Sequence, residues 1–293
     1  QKDIARRLNV SIATVSRSLT RARTEGIVEI RIHSDAESYT DFELAIEQHY
    51  GIRECIITPA GEGGEPDPRS WAAALDDILP RLMPRGGLLG VSWGETLRSV
   101  GEYLALNGTL EPGVVPVVGA MGAEETGIYP NSIARSWADR LGGKAYLVNS
   151  PALVDSAATA QQLLADSSFE RIRSLWDRVD CAVVGTSGIA PGASIRSQHV
   201  LPAKELDALA EQGAVAVMNF LFTKTDGSIL TTPVSQRLIT LSEAQTRKVP
   251  TVIVIAGGQD KQGPLRAVLR SGLADVLVTD AVTAEALVTI SDR

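Results

Sequence analysis

The chain has 293 residues, 44% hydrophobic and 22% charged, enough to bury a full core in one large domain beside a small one. Its longest apolar stretches, such as 251–256, fall far short of the roughly 20 residues that a membrane-spanning helix needs, so no membrane partner is expected. The net charge of −7 hides an asymmetry: residues 1–31 carry seven basic side chains (Lys2, Arg6, Arg7, Arg17, Arg21, Arg23, Arg31) against three acids (Asp3, Glu25, Glu29), a balance of +4 that leaves −11 for the rest. A small basic module on an acidic body suits a chain of which only one part is to meet nucleic-acid phosphate; a merely solvated basic helix is the alternative.

The two cysteines, Cys55 and Cys181, lie in strand-like apolar runs and read as buried reduced thiols. The three histidines, His33, His49 and His199, have no ligand-pair spacing, so no metal and no cofactor are expected. No charged-then-apolar leader opens the chain, which points to a cytoplasmic protein, and Gln1 in place of Met leads us to expect a DNA-binding domain truncated at its N-terminus.

Residues 1–19 read as two short helices joined by a tight turn. Ile4 and Leu8 sit four apart on one face, and Val15 and Leu19 repeat the spacing, so that each pair covers the other. Ala5 is small where the helices approach, Asn9 tolerates the left-handed backbone of the turn, and Ser11 is a good N-cap for the second helix. That helix is the predicted DNA reader. Ser11, Ile12, Ala13, Thr14, Ser16 and Arg17, with Arg21 beyond them, offer the hydroxyls, methyls and guanidinium that meet phosphates and base edges in the major groove. Gly26 stops the chain, and 27–32 reads as a strand of a small wing, giving a winged helix-turn-helix over 1–33 and a second domain over 34–293.

In the second domain, strand-like runs at 54–58, 87–92, 114–118, 145–148, 181–185, 252–256 and 275–279 alternate with helical patterns at 71–82, 96–106, 133–141, 203–212 and 265–271. The alternation predicts an α/β fold with a mostly parallel, Rossmann-like sheet covered by helices on both faces. Asp226-Gly227 predicts a hairpin turn between strands at 215–222 and 228–231. Ligands of such sheets bind at the C-terminal strand ends, where loops meet helix N-termini. The segment 88–97 leaves its strand through Gly90, Ser92, Trp93 and Gly94 and enters a helix at Glu95 and Thr96, a turn suited to an anion. The segment 254–261 repeats the logic with Gly257, Gly258, Gln259 and Asp260, and its Lys261 can neutralise a phosphate. The glycine-bearing runs 183–189 and 117–122 are weaker versions that either line the pocket or only turn the chain. Of Trp71, Trp93, Trp137 and Trp176, only Trp93 falls in a pocket candidate.

These motifs, namely 1–19, the wing 26–32, Gly90-Val-Ser-Trp-Gly-Glu-Thr96, Ala256-Gly-Gly-Gln-Asp-Lys261 and Asp275-Val-Leu-Val-Thr-Asp280, resemble in order and spacing the SorC-type family of sugar-responsive bacterial regulators over essentially the whole chain. The resemblance implies a winged helix-turn-helix followed by an effector domain akin to sugar-phosphate isomerases and CoA transferases. It also implies a homodimer or homotetramer, and operator DNA affinity altered by a phosphorylated sugar. Carried over to this chain, the ligand phosphate would sit at Ser92, Gly94, Glu95 and Thr96 with Gly257, Gly258 and Lys261 opposite. The sugar end would face Gly119, Ala120, Met121, Thr186 and Gln259. An acidic residue often found in the strand before the hairpin is replaced around Val217, and 114–122 holds no lysine, so covalent capture of an aldehyde through that strand is not expected. Asn219 is the expected polar contact instead.

Two other readings share the same residues. An isomerase or deaminase acting on a sugar phosphate would need a carboxylate or lysine aimed at the substrate carbon. The loops offer mostly Gly, Ser, Thr and Met, with Glu95 and Asp260 better placed as helix caps, so a non-enzymic sensor is expected. A regulator answering a phosphorylated signal that is not a sugar is the other, because the loops specify an anion and not a carbon skeleton.

Overall fold

The computed structural model describes residues 6, 11, 13–15, 18, 39–106, 108, 110–121, 128–198 and 200–289. The chain divides into two compact units, 1–38 and 39–293. In the first, Ser11 Oγ accepts the Thr14 N–H at 3.0 Å and lies 2.8 Å from Thr14 Oγ1, the N-cap geometry that a serine favours. Val15 is buried, while Arg6, Ala13, Thr14 and Ser18 are exposed. The other predicted DNA contacts, Ile12, Ser16, Arg17 and Arg21, lie outside the described residues, as do Ile4, Leu8, Leu19 and the wing.

The second unit runs α1 (Thr40–Tyr50), β1 (Glu54–Thr58), α2 (Pro68–Leu82), β2 (Leu88–Val91), α3 (Glu95–Gly101), β3 (Gly113–Pro116), α4 (Pro130–Leu141), β4 (Lys144–Ala145), α5 (Ala157–Ala165), α6 (Glu170–Trp176), β5 (Cys181–Gly185), β6 (Ser187–Gly188), α7 (Ser194–Ser197), α8 (Ala203–Glu211), β7 (Ala214–Met218), β8 (Leu221–Lys224), α9 (Glu243–Thr246), β9 (Val252–Ile255), α10 (Gln262–Arg270), β10 (Val276–Asp280) and α11 (Ala281–Thr289). Seven strands form one parallel sheet in the order β1-β10-β9-β5-β2-β3-β4. Continuous apolar strands such as β9, buried at all four positions, are what a sheet covered on both faces requires. Successive residues alternate between two cores. Ile253, Ile255, Val276, Val278 and Val183 pack with Trp71, Leu75, Leu97 and Trp137 of α2, α3 and α4. Val252, Val254, Leu277 and Val184 pack with Ile46, Ile172, Leu265, Val268 and Leu287 of α1, α6, α10 and α11. Among the described residues no helix is long and apolar enough to cross a membrane.

A second, three-stranded antiparallel sheet, β6-β7-β8, carries a smaller core of its own with Leu206 and Leu209 of α8. Here the structure departs from the sequence expectation. The run 215–222 is not one strand: it folds back at Asn219 and Phe220, both with positive φ (47° and 63°), as a two-residue hairpin in which Met218 pairs with Leu221. Such turns usually carry glycine, and none is present to mark this one. The predicted turn at Asp226-Gly227 does form, with Gly227 at φ 89° and the Lys224 N–H donating to Ser228 O at 2.9 Å. The predicted strand at 145–148 is only two residues long, and the helix predicted to reach 106 ends at Gly101.

The edge strand β1 would expose unpaired N–H groups. Instead α1 covers it: Glu47 Oε1 accepts the Cys55 N–H at 2.9 Å and Glu43 Oε1 accepts that of Ile57 at 3.0 Å. These carboxylates lie four residues apart, one helical turn, matching alternate residues of the strand. Orphaning a half-buried donor costs about 1–3 kcal/mol. Replacing both Glu43 and Glu47 by Ala should therefore lower stability by about 2–4 kcal/mol in urea melts, and replacing both by Gln, which keeps the acceptor oxygens, should cost less than half as much.

Candidate functional site

From β2 the chain proceeds outward through β3 and β4; it then returns to β5 on the other side of β2 and moves outward again through β9 and β10. The topological switch point thus lies between β2 and β5, and the crevice outside their C-terminal ends is where an open parallel sheet places ligands. A cavity of about 90 Å³ occupies this crevice. Its wall is formed by Ser92, Trp93, Gly94, Glu95 and Thr96 after β2, Gly185, Thr186 and Ser187 after β5, Ser194 and Gln198 around α7, Val217 and Asn219 of the small sheet, and Lys261.

The two loops singled out in the sequence meet here. Lys261 Nζ donates to Thr96 Oγ1 at 3.1 Å, across the switch point. Burial holds the Lys261 ammonium below its usual pKa, and the opposing pull of neighbouring Asp260 does not cancel the desolvation. Among the described residues no carboxylate forms an ion pair with it. Because Thr96 Oγ1 accepts from the lysine, its own hydroxyl hydrogen is left for an anion in the cavity.

Other hydroxyls are already engaged. Ser92 is buried and donates to Asn219 Oδ1 at 2.9 Å, and Thr186 donates to Val217 O at 3.0 Å. Both therefore present oxygen lone pairs, which suit ligand hydroxyls better than phosphate oxygens. Ser187 Oγ and Ser194 Oγ lie 3.0 Å apart. Asn219 is fully committed: its amide also donates to Val117 O at 3.2 Å and Thr240 Oγ1 at 2.9 Å, pinning the strained hairpin to the end of β3. Trp93 stacks on Phe220 with ring centroids 5.4 Å apart and an interplanar angle of 19°, closing the same wall. Trp71, Trp137 and Trp176 are core residues.

Glu95 and Lys261 are the ionisable groups on the cavity wall. The Glu95 carboxylate is held below the ordinary range, first by hydrogen bonds from Arg98 and further by that guanidinium's charge and by Ser99. A carboxylate so paired stays ionised and is a poor proton shuttle.

Not every predicted site residue reaches the cavity. Gly257, Gly258 and Gln259 are absent from its wall. The Gly258 N–H donates to Asp280 Oδ2 at 3.2 Å and Thr283 Oγ1 at 2.9 Å. Gly257 is glycine for packing: a Cβ there would lie 1.9 Å from Asp280 Oδ2 and 2.9 Å from the Trp71 ring. Gln259 is exposed. Gly119, Ala120 and Met121 are likewise not part of this wall. Gly119 abuts Pro151, whereas Ala120 and Met121 line a second chamber of about 370 Å³ that shares Gln198 with the first. Sequence reasoning missed Ser194, Gln198 and Val217 and reached Gly185 and Ser187 only through the run 183–189, given as a weaker candidate. Gly185 and Val217 sat inside segments read as strands, and nothing near 194–198 marks a strand end.

The family model described as Putative sugar-binding domain matches residues 34–289. The chain is 28% identical over 290 residues to the Sorbitol operon regulator of Klebsiella pneumoniae, covering 98% of this chain and 92% of that protein. It is 26% identical over 296 residues to the Transcriptional regulator LsrR of Klebsiella pneumoniae subsp. pneumoniae, covering 99% and 88%. The crystal structure of the full-length Sorbitol Operon Regulator SorC from Klebsiella pneumoniae superposes with a TM-score of 0.78 at 27% identity, covering 99% of this chain and 93% of that one. With one domain model spanning most of its length and regulators aligned end to end, the chain belongs to the SorC-type family of sugar-binding transcriptional regulators.

Proposed function

We propose that this protein is a DNA-binding transcription regulator of carbohydrate metabolism whose operator affinity is set by a small phosphorylated sugar bound at the β2/β5 switch point. The observation that carries the reading is Lys261: a desolvated ammonium, without a carboxylate partner among the described residues, reaching over the cavity to Thr96. A partly buried cation without an ion-pair partner is a standing cost to the fold that a phosphate reduces on binding. The first N–H groups of α3 and the Thr96 hydroxyl add donors on the same side. The basic segment 1–33 supplies the operator-reading part, with Ser11, Ile12, Ala13, Thr14, Ser16, Arg17 and Arg21 as its contacts, and self-assembly into dimers or tetramers brings two readers to two half-sites. Ligand that draws the β2–α3 loop and Lys261 together biases the subunit arrangement and hence the spacing of the readers. The coupling is reciprocal: whatever factor ligand imposes on operator affinity, operator imposes on ligand affinity.

A sugar phosphate at 100 times its Kd should add about 2.7 kcal/mol to stability. For a unit of this size that is a rise of roughly 5–10 °C in Tm by scanning calorimetry. A panel of phosphorylated sugars that leaves Tm unmoved would contradict the assigned site.

The Lys261 pKa is lowered on folding, so the unfolded chain binds the proton more tightly. The penalty is fully present at low pH, and ligand-free stability rises as pH climbs through the lowered pKa toward the ordinary lysine value of 10.5. Ligand affinity runs the other way, falling over that window as the ammonium loses its proton. Lys261→Met should weaken sugar-phosphate binding about 10- to 100-fold, the loss expected of a charge-assisted contact, and abolish its fall at high pH. It should leave the ligand-free Tm equal or higher. Titration calorimetry at several pH values checks both signs.

Arg17→Ala should lower DNA affinity and flatten its salt dependence, measured by fluorescence anisotropy on operator fragments, without changing sugar-phosphate affinity.

A further inference from the structure

The hairpin that closes one wall of the switch-point cavity carries an unusual residue at its tip. A two-residue turn with both central residues at positive φ is normally asparagine followed by glycine, because a Cβ in the left-handed region crowds its own carbonyl oxygen. Asn219, at φ 47°, fits the first place, but the glycine place belongs to Phe220, at φ 63°. A bulky side chain held there is an outlier that persists only where the surrounding structure demands it.

What the ring gains is a contact with the other sheet. Phe220 is 1% exposed and stacks on Trp93, with centroids 5.4 Å apart and planes 19° from parallel. Trp93 comes from the loop between β2 and α3, on the same side of the cavity as Thr96, yet it packs against the core of the small sheet that holds Val217, Phe220 and Phe222. With glycine at 220 the turn would relax and the two sheets would lose this aromatic joint.

The small sheet also leans on the opposite side of the site. β7 lies against α10, and Ala216, Met218 and Leu221 share a core with Leu265 and Val268 of that helix. A Cβ on Gly188 of β6 would stand 3.1 Å from Pro264 Cγ, in the first turn of α10, and Lys261 is the N-cap of α10. The hairpin therefore meets the Thr96 side of the cavity through Phe220 and the Lys261 side through β7.

We propose that Phe220 is a positioning residue that couples the anion site to the small sheet: an anion held between Thr96 and Lys261 is felt by β6-β7-β8 through the stack of Phe220 on Trp93. This rests on the anion reading of the switch-point cavity and adds the element that responds to it. The strained turn is what delivers the ring to Trp93, so the strain is kept for the contact it makes.

Hydrogen exchange of the full chain, read by mass spectrometry with and without saturating inorganic phosphate, tests this. The two segments to compare are 92–98, which holds Trp93 and Thr96, and 221–230, which covers β8 and the turn after it and does not line the cavity. In the wild type phosphate should slow exchange about fivefold or more in both. Phe220→Leu, which keeps an apolar side chain in the core, and Phe220→Gly, which relaxes the turn, should both retain the slowing in 92–98 and lose it in 221–230. Each should weaken phosphate about 3- to 10-fold. The retained slowing in 92–98 certifies the fold and the anion site together. If phosphate changes exchange nowhere in the wild type, the anion reading has failed and the coupling with it. If it slows 92–98 alone, the anion reading stands and the coupling is wrong. If both variants still slow 221–230, the signal runs through another contact, such as the Ser92 hydroxyl on Asn219, and Phe220 is not the coupling residue. If both lose the slowing in both segments, Phe220 only scaffolds the anion site, and the coupling role is overturned.

Discussion

A single desolvated ammonium joins the two halves of the sheet across its switch point. Lys261 stands on the turn that leads into α10, and its position depends on the loop after β9. That loop is clamped by a carboxylate with almost no exposure: Asp280 accepts from the Thr283 N–H at 2.8 Å, the Thr283 hydroxyl at 2.9 Å and the Gly258 N–H at 3.2 Å. The clamp explains why two adjacent glycines occur there. One admits the Asp280 carboxylate where any Cβ would collide, and the other adopts φ 97°, turning the chain so that the following residues face the switch point. The glycines that suggest a phosphate cradle by composition instead shape the turn that carries the lysine, so that the proposed anion site falls to Lys261, Thr96 and the start of α3.

The small antiparallel sheet is fastened to the same place by Asn219. Its side chain joins Ser92 at the end of β2, Val117 beyond β3, and Thr240, and its own backbone is held in a left-handed conformation followed by a second such residue, Phe220. A non-glycine pair in that region is strained, and it persists because the Phe220 ring is buried and stacked on Trp93 while the Asn219 amide has every hydrogen bond it can donate. Strain and satisfaction are thus concentrated on one wall of the cavity, which fixes Ser92 as an acceptor toward a ligand. The polarity of the site follows: donors toward α3 and α10, acceptors toward the small sheet.

Much of this was legible before any coordinates. The parallel sheet was, because continuous β-branched runs separated by amphipathic helices leave few alternatives, and 252–256 or 181–185 are of that kind. The meeting of the 90–96 and 256–261 segments was anticipated from their glycines and from Lys261, and the bond to Thr96 joins them. What escaped was whatever depends on side chains from elements distant in sequence. Asn219-Phe220 carries no glycine, so a hairpin was read as a strand. Gln198 sits after a four-residue helix with no strand-end signature. Gly257 and Gly258 were legible as special but not as packing and turn residues, since that distinction requires knowing where Asp280 and Trp71 lie.

The hydrogen-bonded edge of the sheet bears on how such a unit can report its occupancy. Of the seven strands, β1 lies farthest from β4, yet it pairs directly with β10, whose last residue, Asp280, holds the Lys261 loop. On its outer side β1 is tied to α1 by Glu43 and Glu47, and α1 begins one residue after the boundary at 38/39 between the two compact units. Moving α1 away from β1 would strip two backbone donors of their acceptors, a cost comparable to a sizeable part of a domain's stability. The helix and the strand are therefore constrained to move together. The helix that opens this unit is thus fixed to the same sheet whose β10 ends in Asp280. Within this unit a shift of β10 relative to β9 is carried through β1 to α1, and any unit that is to report a change at one strand end requires that stiffness along its hydrogen-bonded edge.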